Sequence, residues 1–291
     1  MNTKYMIAVD MDGTLLNSAG KVTDRTIKTL QSLVEAGHYL VPASGRSYSL
    51  LPKEILGLKG LGYGVLENGA IVYDIAHDKI LSQSPMPEGK VSAILADVWQ
   101  KSDNWSNRYF TEIIADGIGY GDADEMKYLD EARIGGSFIP YMKNGHEYMP
   151  CIRQQDQLLS RAEKLNIYFE DIAFSKSIRD QWCQDTSLAV TSSVYGNAEF
   201  NLAGVNKGVG LKSLMEYLKV DADHVIAIGD NVNDIEMLAL AGISVAMGNA
   251  ADDIKNTCRY VTADCDHDGA AAFLEEFLTQ SGGCEQWLSN L

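Results

Sequence analysis

Short apolar runs punctuated by polar turns mark the first part of the chain. Residues 5–9, 39–43, 62–66 and 70–73 are apolar runs of strand length, and a polar turn at residues 67–69 separates the last two. Runs of this length bounded by turn residues predict buried β-strands. Pro42 cannot donate to a sheet ladder, so the second strand is expected to end close to this residue.

An amphipathic helix is predicted between the first two strands. Three apolar side chains share one helical face, namely Ile27, Leu30 and Val34. Thr23 or Asp24 can cap the beginning of this helix, and Gly37 can close its end. The chain therefore begins with a strand–helix–strand unit.

The last part of the chain repeats the alternation of strands and helices. Helices are predicted at residues 209–218, 235–240 and 273–278, and strands at residues 224–228, 243–247 and 259–262. Strands that alternate with helices pair in parallel and carry helices on both faces. The expected fold class is α/β, with a doubly wound, mainly parallel, Rossmann-like sheet as its core.

The middle of the chain has a different pattern. Amphipathic helices are predicted at residues 91–98 and around residues 158–165, and strand-like runs occupy residues 109–114, 167–174, 188–194 and 199–202. Adjacent strands interleaved with helices indicate an α+β domain inserted into the first one. We therefore predict a core formed by residues 1–84 and 204–291, and an inserted cap domain at residues 85–203.

Composition and charge narrow the classes of partner. The 291 residues are 46% hydrophobic and carry a formal net charge of −16. Such a surface repels nucleic acid phosphates and anionic lipids, so neither is an expected partner. The apolar stretch before Asp10 is too short for a signal-peptide core, and no run reaches the roughly 18 residues that span a membrane. Five cysteines without a C-x-x-C pair favour reduced thiols and a cytoplasmic location.

Polar residues that could take part in catalysis or ligand binding follow the predicted strands. Asp10 and Asp12 follow the first strand, Ser44, Gly45 and Arg46 the second, and an acid- and amide-rich run at residues 229–234 a late one. In open α/β sheets, ligands bind at the carboxyl ends of the strands. We therefore expect these three clusters to meet at one site.

The acids in these clusters point to a metal ion. Two unit charges about 4 Å apart repel by roughly 4 kcal/mol at an effective dielectric constant of about 20, so converging aspartates need a cation or a shared proton. Oxygen donors without His or Cys favour Mg²⁺. An EF-hand calcium loop is excluded, because its fifth and sixth positions would be Thr14 and Leu15 instead of an oxygen-donor acid or amide and a glycine.

Four motifs resemble those of the haloacid dehalogenase superfamily. They are D-x-D-G-T-L-L at residues 10–16, S-G-R at 44–46, N-K-G at 206–208 and G-D-N-x-N-D at 229–234. Their order, together with the size of the insertion between the second and third motifs, is similar to that of the Cof-type phosphatases with an α+β (type IIB) cap. G-N-A at residues 248–250 and H-D-G at residues 267–269 also resemble that subgroup.

The resemblance implies a Mg²⁺-dependent phosphatase that hydrolyses small organic phosphate monoesters, such as sugar phosphates or phosphorylated cofactors. Asp10 would be the nucleophile that becomes an aspartyl phosphate. Asp12 would protonate the leaving group, then take a proton from the attacking water, and its backbone carbonyl would bind the metal. Asp10 and Asp230 would supply the metal carboxylates, and Asp234 would orient a metal-bound water or Lys207.

The resemblance also implies a phosphate-binding set, which consists of Ser44, the Gly45 N–H, Lys207 and Asn233. Asn68 either forms a turn or touches the substrate. The side chain of Arg46 is expected to have a structural role. Leaving-group contacts are expected from the cap, where three residues are candidates: Arg133, Tyr141 and Arg153.

Two other functions remain open at this point. A phosphomutase would pass the phosphoryl group of the same aspartyl phosphate to a sugar instead of water. A non-catalytic sensor would bind a phosphoester or a metal without turnover. The presence of Asp12 argues against a dehalogenase, because a departing halide needs no general acid.

Overall fold

The computed structural model describes residues 4–102, 108–129, 142–143, 145–192, 194 and 196–280. The chain divides into two compact units. The first unit comprises Met1–Gly45, Leu51–Ser82 and Asn206–Leu291, and the second comprises Arg46–Leu50 and Gln83–Val205. The assignment of residues 85–203 to a cap domain remains a prediction.

The strands in chain order are β1 (Met6–Val9), β2 (Tyr39–Pro42), β3 (Tyr63–Leu66), β4 (Ile71–Asp74), β5 (Lys79–Gln83), β6 (Tyr109–Ala115), β7 (Ile118–Asp122), β8 (His146–Met149), β9 (Ala162–Phe169), β10 (Leu188–Thr191), β11 (Asn197–Leu202), β12 (Val225–Gly229), β13 (Ile243–Ala246) and β14 (Tyr260–Val261). The α-helices are Asp24–Glu35, Lys53–Leu56, Lys90–Ser102, Met126–Leu129, Asp156–Leu159, Ile172–Trp182, Lys207–Leu218, Ile235–Leu240, Asp252–Lys255 and Gly269–Gln280.

The first unit is built on a parallel sheet with the strand order β14-β13-β12-β1-β2. β1 lies between β12 and β2, and all four of its residues are buried. Leu211 and Leu214 of the Lys207–Leu218 helix belong to the same hydrophobic core cluster as Met6 and Ala8 of β1. A second sheet, β3-β4-β5, joins the first through a bridge between Ala43 and Val65. The predicted α/β class with a parallel core sheet is confirmed.

Local sequence signals explain the first strand–helix–strand unit. Of the two predicted caps, Thr23 is the one that caps the Asp24–Glu35 helix, by accepting a hydrogen bond from the Thr26 backbone N–H. The backbone N–H groups of Tyr39, which begins β2, and of Ala43, which follows it, donate to the carbonyls of Tyr5 and Val9. Donors alternate along a strand, so Pro42 occupies a position whose N–H would point away from β1.

The second unit is built on a sheet with the strand order β10-β11-β9-β6-β7-β8. Its strands pair antiparallel except for β7 and β8, which are parallel. The Lys90–Ser102 and Ile172–Trp182 helices contribute Val98 and Phe174 to the hydrophobic core of this unit.

The sheet of the second unit carries a buried carboxylate. Glu112 accepts hydrogen bonds from His146 Nε2 at 2.5 Å, Asn166 Nδ2 at 2.7 Å and the Tyr168 hydroxyl at 2.9 Å. Burial raises the pKa of Glu112, but the hydrogen bonds from His146 and Asn166, together with the charges of His146 and Lys164, outweigh it and lower the pKa from 4.5 to about 2.

Two element predictions in the second unit were wrong. The helix expected around residues 158–165 is a single turn, Asp156–Leu159, and the strand expected at residues 167–174 is divided between β9 and the Ile172–Trp182 helix. Every residue of β9 is buried, including the polar side chains of Glu163, Lys164 and Asn166, which a sequence pattern would place on an exposed face. The seven-residue spacing of Leu158 and Leu165 therefore imitated a helix.

Across the described ranges, no helix is long and apolar enough to cross a membrane. Among the same residues, Cys151, Cys183, Cys258 and Cys265 are free thiols. The C-terminal tail, which begins at Ser281, lies outside the described residues.

Candidate active site

Asp10 lies at the carboxyl end of β1. Its backbone N–H continues the sheet ladder by donating to the Ile228 carbonyl of β12 at 2.9 Å. The residue is only 5% exposed, and the following Met11 is fully buried. The sheet therefore holds the Asp10 carboxylate at a defined position just beyond its edge.

Lys207 lies buried between two carboxylates. Its Nζ donates to Asp10 Oδ1 at 2.5 Å and to Asp234 Oδ1 at 2.6 Å, and its side chain is 0% exposed. Asn206 positions this lysine by capping the Lys207–Leu218 helix, because its side chain accepts from the Val209 backbone N–H at 2.9 Å. A lysine at the first turn of a helix is thus turned inward to the carboxylates.

Asp234 organises the loop that follows β12. Its Oδ2 accepts the backbone N–H groups of Asp230 and Asn231, both at 3.0 Å, while its other oxygen accepts Lys207. Asn231 and Asp234 also form a capping box at the short 3-10 turn Val232–Asp234. This loop therefore carries Asp230 to the carboxyl edge of the sheet, next to Asp10.

Three carboxylates converge at this edge. One oxygen from each of Asp10, Asp230 and Asp234 lies within 4.8 Å of the others, a group that could hold a metal ion. The predicted metal set was Asp10, Asp12 and Asp230, with Asp234 outside it. Asp234 already accepts three hydrogen bonds, which fits its predicted orienting role better than direct metal binding. All three donors are hard oxygens, the type that Mg²⁺ prefers.

Asp12 is exposed and lies in the loop that follows β1. It forms an isolated backbone bridge with Leu16, and its charge contributes to the raised pKa of Asp230. The loop is closed by the Leu16 N–H, which donates to the Met11 carbonyl at 2.8 Å. Asp12 is therefore close to the carboxylate group yet accessible to solvent, as a residue that exchanges protons must be.

The pKa values of Asp10, Asp230 and Lys207 are shifted by burial and by the neighbouring charges. Burial raises the pKa of Asp10 from 3.8 to about 7; Lys207 opposes this shift, and Asp234 and Asp230 add to it. Burial and the Asp234 charge raise the pKa of Asp230 from 3.8 to about 6. Burial lowers the pKa of Lys207, but the Asp10 and Asp234 carboxylates outweigh it, so the pKa is raised and the lysine stays charged.

These shifts support a cationic ligand at the site. One lysine faces three carboxylates, so the group has an excess of negative charge when all are ionised. A divalent ion at Asp10 and Asp230 would offset that charge and keep Asp10 ionised at neutral pH. The residues present therefore fit a Mg²⁺ ion.

Ser44 and Gly45 follow β2 at the same edge of the sheet. Ser44 is 1% exposed, and its backbone N–H donates to the Val65 carbonyl at 2.9 Å. Asn233 is exposed, and its Nδ2 donates to Asn68 Oδ1 at 3.0 Å. The predicted catalytic, metal-binding and phosphate-binding residues thus lie in loops that follow parallel strands or at the start of the Lys207–Leu218 helix. Their chemical roles remain predictions.

Asn249 is a residue of this site that the motif analysis did not assign. Its Nδ2 donates to the Gly13 carbonyl and to Asp230 Oδ2, both at 2.9 Å, and its Oδ1 accepts the Cys265 backbone N–H at 3.0 Å. It therefore ties the Asp10–Asp12 loop to the Asp230 loop. Its place just after β13, at the carboxyl edge of the parallel sheet, is the signal that could have identified it.

The other candidate residues have separate positions. Arg46 Nη1 donates to the Leu50 carbonyl at 3.4 Å, and the structural role expected for it stays a prediction. Arg153 lies over the ring of Trp99, with its guanidinium carbon 3.6 Å from the ring centroid. Arg133 and Tyr141 lie outside the described residues.

Comparisons with known proteins agree with this arrangement. A family described as haloacid dehalogenase-like hydrolase matches residues 7–274. A 5-amino-6-(5-phospho-D-ribitylamino)uracil phosphatase of Bacillus subtilis is 26% identical over 273 residues, which cover 94% of this chain and 95% of that protein. A pyridoxal phosphate phosphatase of Escherichia coli is 25% identical over 283 residues, covering 95% and 99% respectively. A haloacid dehalogenase-like hydrolase from Bacteroides thetaiotaomicron has a similar fold, with a TM-score of 0.79 at 24% identity over 94% of this chain and 100% of that one.

Proposed function

Because the chain belongs to the haloacid dehalogenase-like hydrolase family, we propose that it is a Mg²⁺-dependent phosphatase of small organic phosphate monoesters, acting through an aspartyl phosphate on Asp10. One observation carries the proposal. Lys207 contacts both Asp10 and Asp234 in the interior of the first unit, and Asp230 completes a carboxylate group around Asp10. A cluster of acids with raised pKa values beside one buried lysine, at the carboxyl edge of a parallel sheet, is typical of a catalytic site.

In the first step, Asp10 attacks phosphorus. The new bond joins a carboxylate oxygen of Asp10 to phosphorus, and the bond between phosphorus and the ester oxygen breaks. Asp12, on the exposed side of the loop, protonates the departing alkoxide. Lys207 favours the ionised, attacking form of Asp10, since its Nζ donates directly to that carboxylate.

In the second step, Asp12 removes a proton from a water molecule that attacks the same phosphorus. The bond between phosphorus and Asp10 breaks, so Asp10 is regenerated and inorganic phosphate leaves. Ser44, the Gly45 N–H, Lys207 and Asn233 are proposed to hold the phosphoryl oxygens in both steps. Positioned donors of this kind provide most of the catalysis in phosphoryl transfer.

Asp10 and Asp230, with the Asp12 backbone carbonyl, are proposed to hold the Mg²⁺ ion. The ion supplies charge neutralisation to the phosphoryl oxygens when bound. Asp234 positions Asp230 through the backbone, because its carboxylate accepts the Asp230 backbone N–H as well as the Lys207 ammonium. Asn249 orients the Asp230 carboxylate itself by donating to Asp230 Oδ2.

The substrate class is proposed from two considerations. The two relatives described above are phosphatases named for small phosphorylated compounds, a ribitylaminouracil phosphate and pyridoxal phosphate. The net charge of −16 disfavours nucleic acid substrates. We therefore place the substrate among small phosphate monoesters.

A panel of phosphate monoesters, assayed for inorganic phosphate release with Mg²⁺ and with chelator, tests the proposal. We expect Mg²⁺-dependent release by the wild type and none by Asp10→Asn. Isomerised sugar phosphate without phosphate release would instead identify a phosphomutase. Binding of phosphoester or metal without any turnover, even of a generic aryl phosphate, would identify a sensor.

A further inference from the structure

The turn between β3 and β4 has an unusual backbone. Glu67, Asn68 and Gly69 have φ angles of 54°, 54° and 92°, all in the left-handed region. This region costs a non-glycine residue roughly 1–2 kcal/mol, with asparagine among the residues that tolerate it best. Two consecutive non-glycine residues in this conformation are the kind of strain that concentrates at functional sites.

Contacts from two phosphate-site motifs hold the turn in place. The Asn68 backbone N–H donates to the Ser44 carbonyl at 3.0 Å. Gly69 lies directly against the carbonyl of Asn206, the residue that caps the helix of Lys207, so that no side chain fits at position 69. The turn therefore connects the Ser44–Gly45 segment to the start of the Lys207 helix.

The side chain of Asn68 lies over Gly45. A Cβ atom placed on Gly45 would be 3.1 Å from Asn68 Oδ1 and 3.3 Å from its Nδ2. A larger residue at position 45 would therefore crowd the Asn68 amide, whereas glycine does not. Asn68 Oδ1 accepts the Asn233 Nδ2 at 3.0 Å. Its own Nδ2 makes no hydrogen bond to any part of the chain that the structure describes.

We propose that Asn68 is a further phosphate-binding residue, whose side-chain amide donates to a phosphoryl oxygen beside the Gly45 N–H. The inference rests on the proposed phosphatase function. The bond to Asn233 fixes the amide plane so that its N–H₂ group, and not its oxygen, is left for a ligand. The group left over is a donor, and it adjoins the predicted phosphate-site residues Gly45 and Asn233.

Asn68→Gly tests this role separately from the fold. Glycine adopts the left-handed conformation without the steric cost, so the variant keeps the turn and is expected to unfold at the same or a higher urea concentration. The binding of inorganic phosphate, measured by calorimetry with Mg²⁺ present, is expected to weaken about tenfold, which corresponds to about 1.4 kcal/mol. Asn68→Asp, of equal size, is expected to weaken it further, because a carboxylate repels phosphate.

Lys219→Gly is the matched control. Lys219 also has a left-handed backbone, with φ at 56°, but it follows the far end of the Lys207–Leu218 helix. This variant relieves the same kind of strain and is expected to bind phosphate as the wild type does. Unchanged phosphate affinity in Asn68→Gly overturns the inference, and so does a loss that Asn68→Asp does not share.

The proposed phosphatase function is tested separately, by phosphate binding and by phosphate-ester hydrolysis of the wild type. If the wild type neither binds phosphate nor hydrolyses 4-nitrophenyl phosphate, the proposed function fails. If the wild type does both and Asn68→Gly matches it in phosphate affinity, only the role of Asn68 fails.

Discussion

Replacing Lys207 with methionine removes the one cation that contacts Asp10 and Asp234 among the described residues. The methionine keeps most of the buried volume, so the change isolates the charge. Because Lys207 donates to these two acids at 2.5 and 2.6 Å, the variant leaves Asp10, Asp230 and Asp234 close together without a counter-charge.

The size of the effect follows from burial. Removing one partner of a buried ion pair costs about 3–5 kcal/mol, because the remaining charge stays buried and uncompensated. Protonation limits this cost at low pH. Asp10 and Asp230 have pKa values raised from 3.8 to about 7 and about 6, so the folded state binds protons more tightly than the unfolded state between pH 4 and 7. Stability contributed by these protonated acids is present at low pH and lost as the pH rises through 6 to 7.

We therefore expect Lys207→Met to lower the free energy of unfolding by about 3–5 kcal/mol at pH 8 and by less than half of that at pH 5. Urea unfolding in the presence of chelator measures both values. Lys212→Met, on the exposed side of the same helix, is the control and is expected to change little. A loss of under about 1 kcal/mol at pH 8, or an equal loss at the two pH values, would refute this electrostatic reasoning.

Three further predictions concern other parts of the molecule. Asp12→Ala is expected to slow the hydrolysis of alkyl phosphates by about 100-fold or more and that of 4-nitrophenyl phosphate much less, because only the poor leaving group needs a proton; equal losses in the two assays would argue against acid catalysis. Asn249→Ala is expected to weaken Mg²⁺ binding, measured by calorimetry, by about 10–100-fold, since Asn249 orients the Asp230 carboxylate. Asn256→Ala, at an exposed position, is the control, and equal Mg²⁺ affinities of the two variants would show that Asn249 has no such role. Glu112 has a pKa lowered from 4.5 to about 2, so its ionised form stabilises the fold above pH 4.5, and this stabilisation is lost as the pH falls to 2. In urea unfolding, the free energy of unfolding of Glu112→Gln is expected to fall by about 3 kcal/mol less than that of the wild type over this pH range. An unchanged pH profile would contradict this expectation.

The sequence predicted the parts of the fold that follow simple periodicity. The Ile235–Leu240 helix has the bounds expected from its apolar spacing, and β1 and β2 begin or end within one residue of their predicted limits. The rule that ligands bind at the carboxyl ends of parallel strands predicted that the acidic clusters lie at one edge of the sheet.

The second unit was less predictable for physical reasons. β7 contains Gly119 and Gly121, and glycine is depleted in strands, so this segment gave no strand signal. β8 is polar, with half-buried positions, and pairs in parallel with β7 despite its distance along the chain. Such pairing depends on tertiary contacts that local patterns do not contain.

Within the site, the missing information concerns individual side chains. The burial of Lys207 could not be inferred from periodicity, because a lysine at the start of a helix is usually exposed. Asn68 and Asn249 are single amides in turns, and only the structure shows that each one bridges two loops of the site. Their contacts join residues 165 and 236 positions apart in the chain.

The central claim is that Asp10 forms a covalent bond to phosphorus, and rapid acid quenching of a turnover with ³²P-labelled phosphomonoester tests it most directly. We expect protein-bound label that hydroxylamine releases, that maps to the peptide containing Asp10, and that Asp10→Asn lacks. Continued turnover without protein-bound label, or label on a different residue, would contradict the account.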